Sequence, residues 1–178
     1  GEIGQGNLTV LRQIAAEELG LPYEQVDITR PDTDVQPHSL GALASRLTYV
    51  AGNAVKNAAT AAAKQLLEAA AEQFQRPASE LTIINGEIGP YNGSETDFKS
   101  VGAIVRANIY KRGGQPIIGV GTFDNPSEFP DHNRYGNESG AYNFAAQAAE
   151  VEVDRATGEV KLLEIAAVVD CGTVINPA

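Results

Sequence analysis

Two loops near the start of the chain carry the residues best suited to chemistry. The first is Gly4-Gln5-Gly6, which opens a run with helical spacing. The second spans residues 32–48 and is polar up to Leu40, then built from small residues that lead into Ser45. Backbone N–H groups at a helix N-terminus bind anions without charged side chains. The two loops therefore predict a site for a phosphate-bearing cofactor.

Each loop also has an ordinary structural interpretation. Glycine tolerates positive φ and close approach of a ligand, and Gln5 offers both a donor and an acceptor. Most isolated Gly-x-Gly loops are only turns, however, and Asn7 and Ser45 are residues that commonly cap helices. A turn and a capped helix thus remain alternatives to a cofactor site.

Other polar residues form weaker patterns. His38 and His132 lie in irregular segments, where an exposed loop histidine is favoured over a catalytic base or a metal ligand. The acidic residues Glu150, Glu152 and Asp154 alternate with apolar residues, which is also the pattern of any half-exposed strand. We therefore expect these groups to be structural, with a metal site at the acidic residues as the alternative.

The elements that must position the loops follow from hydrophobic periodicity. Helices are predicted at residues 8–19, 46–74 and from Asp97 or Ser100 to 111. Strands are predicted at residues 26–29, 81–84, 87–88, 115–123, 149–154 and 160–169, with a tight turn at Asn85-Gly86. This order indicates an α+β fold with helices packed on mixed or antiparallel sheets. We divide it into a part with the loops and the long helix, residues 1–76, and a strand-rich part, residues 77–178.

Composition excludes several classes of function. The chain has 178 residues and a net charge of -10, and both nucleic acids and anionic membranes select basic surfaces. No apolar run is long enough for a membrane span. The single cysteine, Cys171, cannot form an internal disulfide, a four-cysteine zinc site or an iron-sulfur cluster by itself. One cysteine is compatible with a reducing compartment, and we expect a cytoplasmic protein.

Several segments together resemble a known family. They follow one another as residues 1–6, 13–20, 32–34, 40–54, 142–154 and 157–159, then Asp170-Cys171-Gly172 and Ile175-Asn176-Pro177. In this order they resemble the molybdenum-cofactor subunit of the xanthine dehydrogenase and aldehyde oxidase family. Residues 40–54 look most like the branch of 4-hydroxybenzoyl-CoA reductase and the carbon monoxide dehydrogenase large subunit. The resemblance covers nearly the whole chain.

This resemblance implies a binding role for eight residues. The first loop would bond the pterin or its phosphates, and the second would run past the metal and along the dinucleotide, with Ala44 nearest the molybdenum. The residues are Gly4, Gln5 and Gly6 in the first loop and Ala42, Leu43, Ala44, Ser45 and Arg46 in the second. Leu43 departs from the aromatic or small residue usual in the family.

The resemblance also implies cofactors and partners. The cofactor would be molybdopterin with molybdenum, in the cytosine dinucleotide form, acting on a small aldehyde, aromatic or N-heterocyclic substrate. Iron-sulfur clusters and FAD would be carried by partner subunits or domains. In the family the metal is held by the pterin dithiolene, and the catalytic glutamate lies in a Gly-Glu-Gly segment downstream of Asn176-Pro177. No residue of this chain is therefore expected to ligate the metal or to be catalytic.

The chain has no methionine and stops just after an Asn-Pro step, so we interpret it as part of a longer subunit that folds but does not turn over substrate alone. Two other functions remain open. One is reductive dehydroxylation of an aromatic CoA thioester, and the other is a non-catalytic assembly subunit that has lost the cofactor.

Overall fold

The computed structural model describes residues 1–30, 32–34, 36, 38–111 and 113–177. The chain forms two compact units that divide after Asp124. The division expected after residue 76 does not coincide with this boundary, because the strands that follow residue 76 pack on the long helix of the first unit.

Helices and an antiparallel sheet build the first unit, which agrees with the predicted α+β class. The helices are α1 (Asn7–Leu19), α2 (Gly52–Phe74) and α3 (Val101–Lys111), and a π-helical turn, Leu47–Ala51, leads into α2. The strands are β1 (Leu81–Ile84), β2 (Glu87–Pro90) and β3 (Lys99–Ser100), paired antiparallel in the order β1-β2-β3. Ser100 Oγ accepts a hydrogen bond from the backbone N–H of Ala103 at 3.2 Å, so it supports the start of α3, whereas Asp97 belongs to the capping box of the preceding turn.

Helix α2 is the centre of this unit. The buried apolar residues that form the core come from α2, the sheet and α3: Leu66, Ala69, Ala70, Leu81, Ile88 and Ile104. A Cβ added at Gly52 would lie 2.9 Å from Ile14 Cδ1 of α1. Close helix packing therefore explains a glycine that would weaken a solvated helix.

The predicted turn at Asn85-Gly86 joins β1 and β2. Asn85 has φ 51° and Gly86 has φ 80°, and the register pairs Ile84 with Glu87. Two consecutive positive φ values are what a two-residue hairpin loop of type I′ requires, and they explain why asparagine and glycine occupy it.

We expect the Asn85→Ala substitution to lower the free energy of unfolding by about 1 kcal/mol, because alanine pays the steric cost of left-handed backbone. Urea denaturation of the two chains measures this difference. Asn92→Ala is the matched control, since Asn92 also precedes a glycine but is not among the described residues with positive φ. Equal losses for the two substitutions would contradict the assignment of the cost to the turn.

Two predicted strands do not form. Residues 26–29 follow the short helical turn Tyr23–Gln25 without joining a sheet, and Arg12 instead donates a hydrogen bond to the Val26 carbonyl at 2.8 Å. Residues 115–123 are extended but pair with no strand among the described residues, and they lie along α2. The local sequence of these two segments therefore did not predict whether they pair with another strand.

The second unit contains a long antiparallel hairpin, β4 (Phe144–Val153) and β5 (Val160–Asp170), with a bulge at Glu150/Val151. β4 begins five residues earlier than expected. The expected burial of one face is not observed, because every residue of both strands is exposed within this unit. Two isolated strands offer no second layer against which an apolar face could pack.

No helix among the residues that the structure describes combines the length and apolarity that crossing a membrane would need.

Candidate functional site

The first loop is organised around a carboxylate that sequence reasoning missed. Glu2 accepts hydrogen bonds from three backbone N–H groups, those of Gly4 at 2.8 Å, Gly6 at 3.1 Å and Leu8 at 3.3 Å. Gly4 has φ 99° and Gly6 has φ 77°. The glycines thus let the chain turn so that its amides converge on one point, as in backbone anion sites. An acidic residue shortly before a helix is the signal that could have identified this role.

This arrangement corrects the expectation that Asn7 caps α1. Gly6 occupies the N-cap position and has no side chain to cap the helix, and Asn7 lies within the helix with 8% of its surface exposed. The Gln5 side chain bonds within the loop, accepting from the Ile3 N–H at 2.7 Å and donating to the Gly1 carbonyl at 3.3 Å. Asn7 Oδ1 is buried without a hydrogen-bond partner.

The Glu2 carboxylate is favoured in its charged form. Desolvation acts to raise the pKa of Glu2, but the backbone hydrogen bonds from Gly6, Leu8 and Gly4 outweigh it and hold the pKa below its ordinary value of 4.5. A depressed pKa in the folded state stabilises the fold above the unfolded pKa, and this stabilisation is lost as pH falls through the folded pKa.

We therefore expect Glu2→Gln to be less stable than the parent chain at pH 7, with a difference that vanishes below the lowered pKa of Glu2. Urea denaturation in a series of buffers from pH 7 down to pH 2 measures this difference. Glu2→Asp keeps the charge but shortens the reach by one methylene group. A Glu2→Asp chain as stable as the parent would contradict a role for these specific hydrogen bonds.

The second loop has an unusual backbone. Ala44 and Ser45 have φ values of 49° and 53°, so two consecutive residues other than glycine lie in the left-handed region, after Gly41 at φ 84°. Each such residue costs about 1–2 kcal/mol, and such strain clusters at functional sites. Ser45 does not cap the helix as expected, because the following helical turn begins after Arg46 and has no side-chain cap.

Arg46 holds this conformation. Its backbone N–H donates to the Leu43 carbonyl at 3.1 Å, and its guanidinium Nη1 donates to the Gly41 carbonyl at 3.3 Å. Leu43, Ala44 and Ser45 are exposed, while Ala42 and Arg46 are half-buried. The exposed part of the loop is thus available to a ligand. The Arg46 guanidinium stabilises the loop backbone through its bond to Gly41.

Both loops lead into helices that pack together. α1 contacts α2 and the turn Leu47–Ala51. A π-helical turn of this kind occurs frequently at functional sites. The structure therefore places the two predicted loops within one compact unit, each before a helix that packs against the other.

Two observations indicate that the loops could accommodate a phosphate-bearing pterin. A Cβ added at Gly4, Gly6 or Gly41 would meet no atom within 4 Å, so open space lies beside these backbones. The orphaned Asn7 Oδ1 is a buried acceptor, which a donor group of a ligand would satisfy.

The alternative metal site at Glu150, Glu152 and Asp154 receives no support. Asp154 Oδ1 accepts from the backbone N–H groups of Ala156 at 2.7 Å and Thr157 at 3.2 Å, so its role is to stabilise the hairpin turn. These backbone bonds, that of Ala156 first, hold the pKa of Asp154 below its usual value. Within the described ranges, no group of three or more His, Cys, Asp or Glu side chains is arranged to hold a metal ion. His38 and His132 are exposed, as expected.

Comparison with known proteins gives consistent matches over the whole chain. The family described as molybdopterin cofactor-binding domain matches residues 1–178. The carbon monoxide dehydrogenase large chain of Hydrogenophaga pseudoflava is 32% identical over 98% of this chain and 20% of its own length. The xanthine dehydrogenase molybdenum-binding subunit of Escherichia coli O157:H7 is 33% identical over 99% of this chain and 22% of its own length.

Solved structures agree with these relatives. Reconstituted CO dehydrogenase from Oligotropha carboxidovorans superposes with a TM-score of 0.81 at 29% identity, over 99% of this chain and 21% of that one. The chain thus spans about a fifth of the length of the proteins it matches.

Proposed function

Because the chain belongs to the family of molybdopterin cofactor-binding domains, as its resemblance predicted, we propose that its two loops hold the cofactor of a molybdenum hydroxylase or dehydrogenase subunit about five times its length. The observation that carries this proposal is the left-handed backbone at Ala44 and Ser45. A strained and exposed loop that a half-buried arginine holds in place is a preorganised binding surface.

In the first loop, Gly4, Gln5 and Gly6 bind the pterin or its phosphates. Glu2 keeps the loop folded by accepting its inner N–H groups, and the Gln5 amide braces it through Ile3 and Gly1, while the open side of the glycines faces the ligand. The buried Asn7 Oδ1 accepts a hydrogen bond from a donor on the pterin.

In the second loop, the backbone carries the interaction. Residues 42–46 approach the cofactor through peptide groups, with Ala44 nearest the metal, since a methyl side chain leaves room that a larger one would occupy. Arg46 fixes the loop through Gly41 and Leu43. Leu43, which is 53% exposed, forms part of the substrate channel wall.

When bound, the cofactor supplies the redox chemistry that oxidises or hydroxylates an aldehyde, aromatic or N-heterocyclic substrate. We place the general base in a Gly-Glu-Gly segment downstream of Pro177. The cofactor is the cytosine dinucleotide form, iron-sulfur clusters and FAD reside on partner subunits or domains, and the assembly is cytoplasmic. Reductive dehydroxylation of an aromatic CoA thioester would use the same cradle.

One observation favours a second function, that of a non-catalytic assembly subunit. The N–H groups that point into the first loop are already bonded to Glu2 rather than left free for an anion. In that case the first loop would be purely structural, with its N–H groups paired to Glu2 and none of them binding a cofactor.

The experiment is elemental analysis of molybdenum, with release of cytidine nucleotide by mild acid, on the full-length subunit co-expressed with its neighbouring subunits. We expect near-stoichiometric molybdenum and nucleotide. A folded, maturation-competent preparation that contains neither would refute the cradle and favour the assembly subunit. Molybdenum with a pterin but without cytidine nucleotide would refute only the dinucleotide form.

A further inference from the structure

Residues 117–123 have the features of a β-strand without a sheet. Their exposure alternates strictly, with Ile118, Val120 and Thr122 exposed and the residues between them half-buried. Ile118 is 61% and Val120 78% exposed. This period of two is that of a strand packed on one face.

The inward face is fitted to α2. A Cβ added at Gly119 would lie 2.8 Å from the backbone N of Ala62, and one at Gly121 would lie 2.5 Å from the Ala54 carbonyl oxygen. Phe123 packs edge-on against Tyr49, with ring centroids 5.3 Å apart. The segment is therefore held in one position by contacts that tolerate no side chain at the glycines.

The observed hydrogen bonds of residues 117–123 all involve backbone groups of even-numbered residues, which lie along one edge of the segment. Gln65 Nε2 donates to the Ile118 carbonyl at 2.6 Å, and Gln65 Oε1 accepts from the Ile118 N–H at 3.4 Å. Asn57 Nδ2 donates to the Thr122 carbonyl at 2.8 Å. In an extended chain the backbone groups of even and odd residues point to opposite edges. The groups of Ile117, Gly119, Gly121 and Phe123 therefore lie along the other edge.

We propose that residues 117–123 are an edge strand that accepts an extended segment from the remaining polypeptide of the same subunit. This segment would pair with the odd-numbered backbone groups and place apolar side chains beside Ile118 and Val120. The inference rests on the proposed function in one respect, namely that the chain is part of a longer subunit.

Two observations favour this occupant over a second copy of the chain. The chain spans about a fifth of the length of its relatives, so a subunit of that size supplies many further segments. Two copies of a chain with a net charge of -10 would also repel one another.

The test is residue-resolved hydrogen exchange on the full-length subunit, in preparations with and without molybdenum. We expect the amides of Ile117, Gly119, Gly121 and Phe123 to exchange about a hundredfold more slowly than the amide of the exposed residue Gly113. If these four amides exchange as fast as the Gly113 amide in both preparations, the proposal is overturned. Hydrogen exchange is also measured in the preparation without molybdenum. Failure of the strand pairing can therefore be distinguished from failure of the proposed cofactor site.

A photo-crosslinking residue at position 120 identifies the occupant by mass spectrometry. Crosslinks to the same subunit outside residues 1–178 support the proposal, and crosslinks to a second copy or to another subunit overturn it. Val120→Lys is expected to abolish the slow exchange, because it would bury a charge beside the added strand. Tyr110→Lys, at a residue of α3 that is 87% exposed, is the matched control and should leave exchange unchanged; slow exchange that survives Val120→Lys would contradict the pairing.

Discussion

A full-length subunit with the Ala44→Pro substitution is expected to contain less than about a tenth of the molybdenum of the parent subunit. The proline ring fixes φ near -65°, whereas Ala44 has φ 49°. Proline also restricts the residue before it, Leu43, whose carbonyl accepts the Arg46 N–H. The loop must therefore adopt another path, and elemental analysis of the purified subunit measures the loss of cofactor.

Ala44→Gly is the matched control. Glycine adopts positive φ without steric cost, so this variant should keep its molybdenum and leave the loop unchanged. Circular dichroism and urea denaturation of both variants separate local remodelling from unfolding. Stoichiometric molybdenum in a folded Ala44→Pro subunit would contradict a role for this loop in the cradle.

Gly121→Ala is expected to lower the free energy of unfolding of the chain by about 3 kcal/mol. An added Cβ would lie 2.5 Å from the Ala54 carbonyl oxygen and 2.7 Å from the Asn57 carbonyl carbon. Both atoms belong to the backbone of α2 and cannot rotate away, so the segment must leave the helix or bend it. Urea denaturation gives the loss.

Gly102→Ala provides the comparison within the same unit. Gly102 lies in α3, and the nearest atom to an added Cβ is Arg106 Nη1 at 3.7 Å. Alanine there should raise the free energy of unfolding by roughly 0.5–1 kcal/mol, since it reduces the entropy lost in forming the helix. A Gly121→Ala chain as stable as the parent would show that residues 117–123 are not tightly packed.

Local signals predicted much of the fold. The apolar spacing of α1 and its stop at Gly20, the Asn85-Gly86 turn, and the alternation of residues 149–154 in the β4–β5 hairpin all depend on residues close in sequence. The family, the α+β class and the role in molybdopterin binding also followed from ordered motifs, and the comparisons confirm them.

The remaining features depend on partners that a local pattern does not contain. Residues 115–123 contain the β-branched residues typical of a strand, but an extended chain becomes a strand only beside another, and here two amide side chains of α2 bond it instead. Ser45 has the composition of an N-cap, but Arg46 fixes the backbone before it in a left-handed conformation. Whether the eight loop residues bind the cofactor stays a prediction.

The exposed hairpin β4–β5 has a consequence for biosynthesis. A two-stranded hairpin is marginally stable in water, and strands rich in valine, alanine and leucine aggregate when they are left uncovered. During translation the hairpin emerges before any later polypeptide that would cover it. We expect Glu150, Glu152 and Glu164 to act as gatekeepers at that stage, since their charges oppose stacking of nascent chains on one another. Glu150 and Glu152, two of the acidic residues whose spacing suggests a metal site, would thus protect the subunit while it is still being made.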